Sequence, residues 1–294
     1  HGETVGALAV TDIAIFREAY APLVRLADTV PSPDARNAAP GETAQDVARR
    51  AAAALEAWLQ EHHTTTAAFI VDPLVQCAAG MAMHDPEYLR LARALCSRYD
   101  VHLVVDEIAV GFGRTGTMFA HQQAGIRPDF ICLSKGLTGG TLPLSAVLTT
   151  DAVYAAFYDD DVARGFLHSH SYTGNPLACR AALATLELFE QLDALNANKA
   201  LAQRIDAACA PLAQHPRVRH ARRLGMIWAW DVDTTLPDFS RRYHQHAMAR
   251  GLVLRPIGKT LYAMPPYVLD DEAVQCLASG ALAALNATLQ EENR

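Results

Sequence analysis

The sequence predicts an α/β fold with a mostly parallel central sheet, flanking helices and a smaller C-terminal α+β domain. Short apolar runs rich in β-branched residues alternate with helical patterns between residues 43 and 148, which is typical of a parallel sheet with crossover helices. A long apolar helical segment follows, and shorter strands and helices alternate after it. We therefore predict a large domain over residues 1–180 and a small domain over residues 181–294.

The elements of the large domain follow from their residues in chain order. Residues 43–62 carry Ala, Leu and Trp at helical spacing, which predicts a helix. Residues 66–72 have strand composition and stop at a proline. Asp85 before Pro86 is a typical helix start, and the apolar run 101–105 after that helix predicts the next strand.

The remaining elements are predicted in the same way. Residues 130–133 and 144–148 have strand length and composition. The pair Asn175-Pro176 predicts the start of a helix that runs from Leu177 to about Leu192. Further on we predict helices near residues 200–213, 239–250 and 271–289, and strands over residues 224–232, 252–255 and 261–264.

Composition excludes several classes of function. The 294 residues carry a net charge of -7, which argues against nucleic acid as the main partner. No apolar stretch reaches the ~18 uncharged residues of a membrane helix. The six cysteines are widely spaced and form no CxxC motif, which favours reduced thiols and a cytoplasmic location over a disulfide framework.

Two of the predicted strands each deliver one charged residue at their carboxyl end, Asp106 and Lys135. Ligands of open α/β sheets bind at this edge. A carboxylate can hold a pyridinium nitrogen and a primary amine can form an imine, which is what pyridoxal phosphate requires of a protein. The other two lysines, Lys199 and Lys259, lie in a polar helical stretch and a turn. The alternative for Lys135 is an ordinary solvated lysine.

Two further patterns are decoys. Residues 111–116 match GxGxxG after a strand, but the acidic residue expected about twenty positions later is missing, and Asp106-Glu107 would repel a dinucleotide. His168 and His170 lack a third ligand at a recognisable spacing. We therefore predict neither a nicotinamide cofactor nor a metal.

Three motifs in order carry a family resemblance: VVDEIAVGFGRTG at residues 104–116, CLSKGLTGG at 132–140 and HSHSYTGNPLAC at 168–179. They resemble the class III (ω-type) aminotransferases, which are pyridoxal-phosphate enzymes of fold type I. The segment RPIGKTLYAMPPY at 255–267 is similar to members that transfer an amino group from S-adenosylmethionine to 8-amino-7-oxononanoate in biotin synthesis. The alternatives are another class III enzyme with a lysine, ornithine or β-amino acid donor, and a non-catalytic truncated chain.

The resemblance implies roles for the central residues. Lys135 would form the imine with the cofactor and then act as the base, and Asp106 would pair with the pyridine nitrogen. We expect Lys135 to be buried, because burial favours the neutral amine that attacks. Arg114 is expected to order the loop after Asp106, and Gln76 to lie near the phenolic oxygen of the ring.

The resemblance also implies contacts with phosphate and substrate. His170 and Ser171 match the pair that reaches the cofactor phosphate from the neighbouring subunit, which implies a homodimer. Relatives often carry Pro-Thr there, and a serine hydroxyl can still donate to phosphate. Ser169 would border the substrate. Arg255 matches the arginine that holds the carboxylate of the oxononanoate, and Tyr262 would line the same pocket.

The start of the chain departs from the family pattern. Relatives carry an aromatic residue immediately before the His-Gly that opens this sequence, and that residue stacks on the cofactor ring. They also carry a Gly-Ser phosphate loop further upstream. We therefore expect that the N-terminal part of the large domain is absent from this chain, which then lacks part of its own cofactor site. Unless another polypeptide supplies that segment, we expect the chain to be inactive.

Overall fold

The computed structural model describes residues 1–11 and 13–293. Its α-helices are α1 (Val5–Ala9), α2 (Ala14–Arg17), α3 (Ala44–His62), α4 (Glu87–Arg98), α5 (Asp151–Ala155), α6 (Pro176–Gln191), α7 (Ala194–Ala213), α8 (Phe239–Met248) and α9 (Asp271–Gln290). Its strands are β1 (Ala68–Val71), β2 (Val75–Gln76), β3 (Ala82–Met83), β4 (His102–Asp106), β5 (Phe130–Leu133), β6 (Ala146–Thr149), β7 (Val218–Leu224), β8 (Ile227–Val232) and β9 (Thr260–Ala263).

A four-stranded sheet organises the first half of the chain, in the order β1-β4-β5-β6. The pairs β1–β4 and β4–β5 are parallel, and β6 runs antiparallel to β5 at the edge. Val71 lies opposite Val105, and Asp106 lies opposite Cys132. The predicted mostly parallel sheet is confirmed. The carboxyl ends of its parallel strands lie together at one end of the sheet.

Helices α3 and α4 bury their apolar faces in the core of this sheet. Leu55 and Leu59 of α3 and Leu89 of α4 are at most 1% exposed, and they join one cluster with the β4 strand. Helix α3 begins at a capping box, in which Thr43 Oγ1 accepts from the Asp46 amide and the Asp46 carboxylate accepts from the Thr43 amide. Such a cap satisfies amide groups that have no partner within the helix.

A three-stranded antiparallel sheet, β7-β8-β9, organises the second half of the chain. Strand β8 is buried on both sides, because its alternate residues face different cores. Trp228 and Trp230 pack with residues of α7, α8 and α9, whereas Ile227 and Ala229 join the core of the first sheet. Because its residues are divided between the two cores, β8 packs against both halves of the molecule.

The sequence-based prediction is wrong at two strands of the small domain. The strand predicted over residues 224–232 is a turn at Gly225 followed by β8. Strand β7, which precedes that turn, was not predicted. Strand β7 reads VRHARRL and is mostly exposed, so it lacks the apolar pattern that marks a strand. Residues 252–255 form no strand, because they pair with no other strand in the described chain.

The helix starts predicted at Asp85 and Asn175 are confirmed within one residue, whereas the helix predicted near residues 200–213 begins earlier, at Ala194. Asn175 Oδ1 accepts a hydrogen bond of 3.0 Å from the Leu177 amide at the start of α6. Asp85 Oδ1 accepts one of 2.8 Å from the Glu87 amide, where α4 begins. The predicted division between residues 180 and 181 lies inside α6, and it stays a prediction.

Two of the expectations concern membrane-spanning helices and cysteines. Among the residues that the structure describes, no helix has the length and apolar character needed to cross a bilayer. The six cysteines all carry free thiols in this part of the chain.

Candidate active site

Asp106 and Lys135 lie at opposite ends of a single residue, His1. The α-amino nitrogen of His1 is 2.6 Å from Asp106 Oδ2, and its Nε2 is 2.6 Å from Lys135 Nζ. The two side chains therefore reach into the same cleft rather than to different faces of the sheet. His1 fills the space between the two side chains, and we call this space the cleft.

Asp106 is held by the strand that it ends. It is the last residue of β4 and only 4% exposed. Its Oδ1 accepts a 3.0 Å hydrogen bond from the Ile108 amide, which leaves Oδ2 for the cleft. One carboxylate oxygen is thus fixed by the backbone, and the other faces the cleft.

Lys135 lies just beyond β5 in a left-handed backbone conformation, with a φ of 44°. Such strain in a residue other than glycine clusters at functional sites. The next residue must be small, because a Cβ on Gly136 would stand 2.8 Å from the Cβ of Phe112. The expected burial of Lys135 is wrong: the side chain is exposed, at the first residue of a short 3₁₀ helix that follows β5.

A third charged residue of the cleft, Asp72, was missed in the sequence. It follows β1 as Asp106 ends β4, and the register of Val71 opposite Val105 places the two carboxylates side by side. Burial and the charge of Asp106 raise the pKa of Asp72 to about 6, while Lys135 opposes this shift. The signal was present, because Asp72 is the last residue of a predicted strand, as Asp106 is of the observed β4.

Cys77 lies at the same end of the sheet. Burial raises the pKa of its thiol to about 12, with a further contribution from the charge of Asp72. A thiol that keeps its proton is a poor nucleophile. Cys77 is therefore a slowly reacting thiol beside the cleft and not a candidate nucleophile.

Glu107, beside Asp106, holds the glycine-rich loop at residues 111–116 closed. It is fully buried and accepts hydrogen bonds of 2.9 Å from the amides of Ala120 and His121. Its Oε1 also lies 2.8 Å from His121 Nδ1. The GxGxxG pattern thus forms a tight loop that is anchored by a buried carboxylate.

Arg114 connects this loop to the small domain. Its Nη1 donates to the carbonyl of Pro265 at 2.6 Å, and its guanidinium lies 4.6 Å from the centre of the Tyr267 ring. Tyr267 in turn donates to the carbonyl of Phe112 at 2.6 Å. These contacts support the predicted role of Arg114 in ordering the loop.

Ser169, His170 and Ser171 lie apart from the cleft. All three are exposed in the irregular stretch before α6. His170 Nδ1 accepts a 3.1 Å hydrogen bond from the Tyr172 amide, and in the described chain none of the three contacts Asp106 or Lys135. This placement is compatible with a role in a neighbouring subunit and leaves that role a prediction.

Arg255, Tyr262 and Gln76 occupy different environments. Arg255 is exposed in an irregular stretch and forms no ion pair with any described residue. Tyr262 lies on β9 and packs against the core of the first sheet. Gln76 lies on β2 and accepts a hydrogen bond from Ser32. Their predicted roles in binding remain untested.

The family profile of the class III aminotransferases, described as "Aminotransferase class-III", matches residues 1–285. The chain belongs to this family. The match includes the segment with Asp106 and Lys135 and the C-terminal segment with Arg255. All the motifs named in the sequence therefore lie within one continuous match to the family.

Curated relatives narrow the resemblance. The chain is 41% identical over 292 residues to an adenosylmethionine-8-amino-7-oxononanoate aminotransferase of Helicobacter pylori, covering 97% of this chain and 65% of the relative. It is also 41% identical over 283 residues to the enzyme of that name from Synechococcus elongatus, covering 94% and 64%. The class III chain thus spans just under two thirds of the length of these relatives.

A solved structure shares the fold. The ω-transaminase of Pseudomonas jessenii in complex with PMP superposes with a TM-score of 0.92 at 28% sequence identity, over 100% of this chain and 67% of that one. The predicted fold type I is therefore confirmed. The roles of the individual site residues in this class III chain stay predictions.

Proposed function

We propose that this class III protein transfers an amino group from S-adenosylmethionine to 8-amino-7-oxononanoate, with pyridoxal phosphate as its cofactor. One observation carries the proposal: Asp106 and Lys135 lie at the two ends of a space that one residue, His1, fills. The names of the relatives support the choice of substrates.

The residues of the cleft fit the cofactor. Asp106 is buried and has one carboxylate oxygen held by the Ile108 amide, so its other oxygen would accept a hydrogen bond from a pyridinium nitrogen. Lys135 presents a primary amine at the other end of the cleft. The bound cofactor would supply an aldehyde for the amino group and a cationic ring that accepts electrons.

The chain's own residues would orient this chemistry and move its protons. The fixed carboxylate of Asp106 would hold the ring nitrogen in its protonated form, because a nearby negative charge favours a cation. Lys135 would take the proton from the carbon of the donor that bears the amino group. It would return the proton to the cofactor carbon on the other side of the transferred nitrogen. Its flexible, exposed stem can reach both positions.

Arg255 and Tyr262 would bind the amino acceptor. An unpaired, exposed guanidinium suits two-point recognition of a carboxylate, and 8-amino-7-oxononanoate carries one at the end remote from the reacting ketone. Tyr262 lies on β9, seven residues further along the chain. Both would act on the substrate, and Lys135 would act on the reacting carbon.

The decisive experiment separates the two half-reactions. With the N-terminal segment that the relatives carry supplied, adding S-adenosylmethionine to the cofactor-loaded protein is expected to replace the absorbance of the lysine-bound aldehyde with that of the aminated cofactor. Addition of 8-amino-7-oxononanoate is expected to restore the first absorbance. A response to lysine, ornithine or a β-amino acid, with none to S-adenosylmethionine, would favour the rival donors. Failure to take up the cofactor would favour a non-catalytic chain.

An arginine pair supplies a matched control for the acceptor. Arg255→Ala is expected to raise the KM for 8-amino-7-oxononanoate by about tenfold or more, because a charged hydrogen-bond partner is lost. Arg250→Ala removes a guanidinium that donates to the His246 carbonyl in the last turn of α8, so it is expected to leave that KM unchanged.

We also propose that the protein is a homodimer. A continuous stretch of the chain exposes large apolar side chains, and the loop with His170 and Ser171 lies within it. We call this set the apolar stretch: Val147, Leu148, Tyr154, Phe157, Tyr158, Val162, Phe166, Leu167, Tyr172 and Leu177. Exposed apolar side chains in such number mark an interaction site, and a second copy covering them would bring His170 and Ser171 to its cleft.

Sedimentation equilibrium of the cofactor-loaded protein is expected to give the mass of two chains. Phe166→Asp with Leu167→Asp places charges in the apolar stretch, and the mass is expected to fall to that of one chain. Val268→Asp changes a residue of similar exposure elsewhere, at 82%, and is expected to leave the dimer intact. Equal effects of both changes would contradict this interface. The cytoplasmic location predicted from the sequence stays a prediction.

A further inference from the structure

Residues 74–81 form a strained wall of the cleft. The segment begins two residues after Asp72 and contains Cys77, whose thiol feels the charges of both Asp72 and Lys135. Leu74 and Met81, at its two ends, adopt left-handed backbone angles, with φ of 67° and 54°. A segment with such angles persists only when its surroundings hold it.

Two arginines hold the end of this segment through three successive carbonyl groups. Arg36 Nη2 donates to the carbonyl of Ala79 at 2.9 Å. Arg222 donates through Nη2 to Gly80 at 2.6 Å and through Nε to Met81 at 2.9 Å. These charged donors satisfy carbonyls that the irregular backbone leaves without partners.

Asp231 of strand β8 bridges the two arginines, and Arg36 is also held by Asp34, whose Oδ2 lies 2.7 Å from Arg36 Nη2. The Oδ1 of Asp231 lies 3.0 Å from Arg222 Nη2 and its Oδ2 lies 3.5 Å from Arg36 Nη1. Thr260 donates a further hydrogen bond of 2.8 Å to Oδ1. Burial acts to raise the pKa of Asp231, but the bonds from Arg222 and Thr260 outweigh it and hold the pKa below its usual value.

The segment also fits closely against the small domain. A Cβ on Gly80 would stand 3.0 Å from Thr260 Oγ1 and 3.5 Å from Arg36 Nη1. Thr260 begins β9, the strand that carries Tyr262, and it pairs with Asp231 in the β8–β9 register. The wall of the cleft and the strand with Tyr262 are thus joined through one carboxylate.

We propose that Asp231 is a positioning residue of the active site. Its negative charge keeps Arg36 and Arg222 together, and the two arginines hold residues 74–81 against the strand that carries Tyr262. Without that charge Asp34 still pairs with Arg36, but Arg222 loses the carboxylate of Asp231. The repulsion between the two guanidinium groups is then less compensated, and the segment is held less firmly at Gly80 and Met81. The effect on catalysis rests on the proposed function, whereas the effect on the segment does not.

The reactivity of Cys77 reports on the segment directly. In Asp231→Asn, modification of Cys77 by N-ethylmaleimide, quantified for each cysteine by mass spectrometry, is expected to become about tenfold faster because the segment opens locally. Cys96 and Cys209 are buried in the two separate cores. Their rates are expected to stay within about twofold of the native rates.

Two variants serve as controls. Asp233→Asn removes a neighbouring carboxylate that pairs with Arg219 in an exposed setting, and it is expected to leave the Cys77 rate unchanged. Arg222→Lys keeps the charge but loses the fork that holds two carbonyls. Its Cys77 rate is expected to lie between those of the native protein and Asp231→Asn.

Kinetics supply a second readout. If residues 74–81 position the substrate, Asp231→Asn is expected to raise the KM of the amino acceptor about fivefold and to leave kcat within about twofold. An unchanged Cys77 rate would overturn the proposal, and so would a rise shared equally by Cys96 and Cys209, which indicates a general loss of stability. A native protein without transaminase activity would defeat the proposed function, and the Cys77 rates would still decide the role of Asp231.

Discussion

Replacing Lys135 with alanine is expected to lower transamination by about a thousandfold or more and to remove the absorbance of the lysine-bound cofactor. Lys135 is the residue whose amine faces the cleft beside Asp106. An arginine cannot substitute for it, because a guanidinium stays protonated and forms no imine. The measurement is a spectrum of the cofactor-loaded protein together with the rate of the complete reaction.

The other lysines provide matched controls for this change. Lys199 donates to Asn196 on the exposed face of α7, and Lys259 lies exposed in the turn before β9. Alanine at either position is expected to leave the spectrum and the rate unchanged. A Lys135→Ala protein that keeps both the absorbance band and the turnover would disprove the assigned chemistry.

The second large effect is expected from Gly225→Ala, at the turn between β7 and β8. A Cβ there would stand 2.3 Å from the carbonyl carbon of Thr115, 2.4 Å from the nitrogen of Gly116 and 2.5 Å from the oxygen of Arg114. The Met226 amide donates to that same Arg114 oxygen at 2.8 Å. Because all three atoms are backbone, the loop after Asp106 must separate from the small domain.

We expect this change to cost about 3 kcal/mol of unfolding free energy or more and to lower Tm by roughly 6–10 °C. Gly258→Ala is the matched control. Gly258 has the same φ of 57° as Gly225, and a Cβ on it meets no described atom within 4 Å. It therefore measures the cost of the backbone angle alone, about 1 kcal/mol. Equal losses of Tm in the two variants would show that the contact between the domains contributes nothing.

Much of the site could be read from the positions of residues along the chain. A strand that ends in a charged residue places that charge at the ligand-binding edge, whatever the rest of the fold does, and this is true of Asp106 and nearly so of Lys135. The helix starts at Asp85 and Asn175 were equally readable, because a cap depends on backbone groups only two residues away.

Other features escaped the sequence because they depend on partners far along the chain. Strand β7 is charged and exposed, and only its pairing with β8 makes it a strand. Asp72 gains its significance from the register that sets it beside Asp106. Lys135 was expected to be buried, but exposure depends on what covers a residue, and that is a property of the whole fold.

The sequence by itself determined the α/β fold, the aminotransferase family and the pair Asp106 and Lys135, because these follow from local periodicity and from motifs within short stretches. The tertiary structure alone decided that Asp231 reaches the wall of the cleft through Arg36 and Arg222, since Arg36 and Asp231 are nearly two hundred positions apart in the chain. Ion pairs and close backbone contacts of this kind are set by how the two sheets pack together, and no local pattern records that packing.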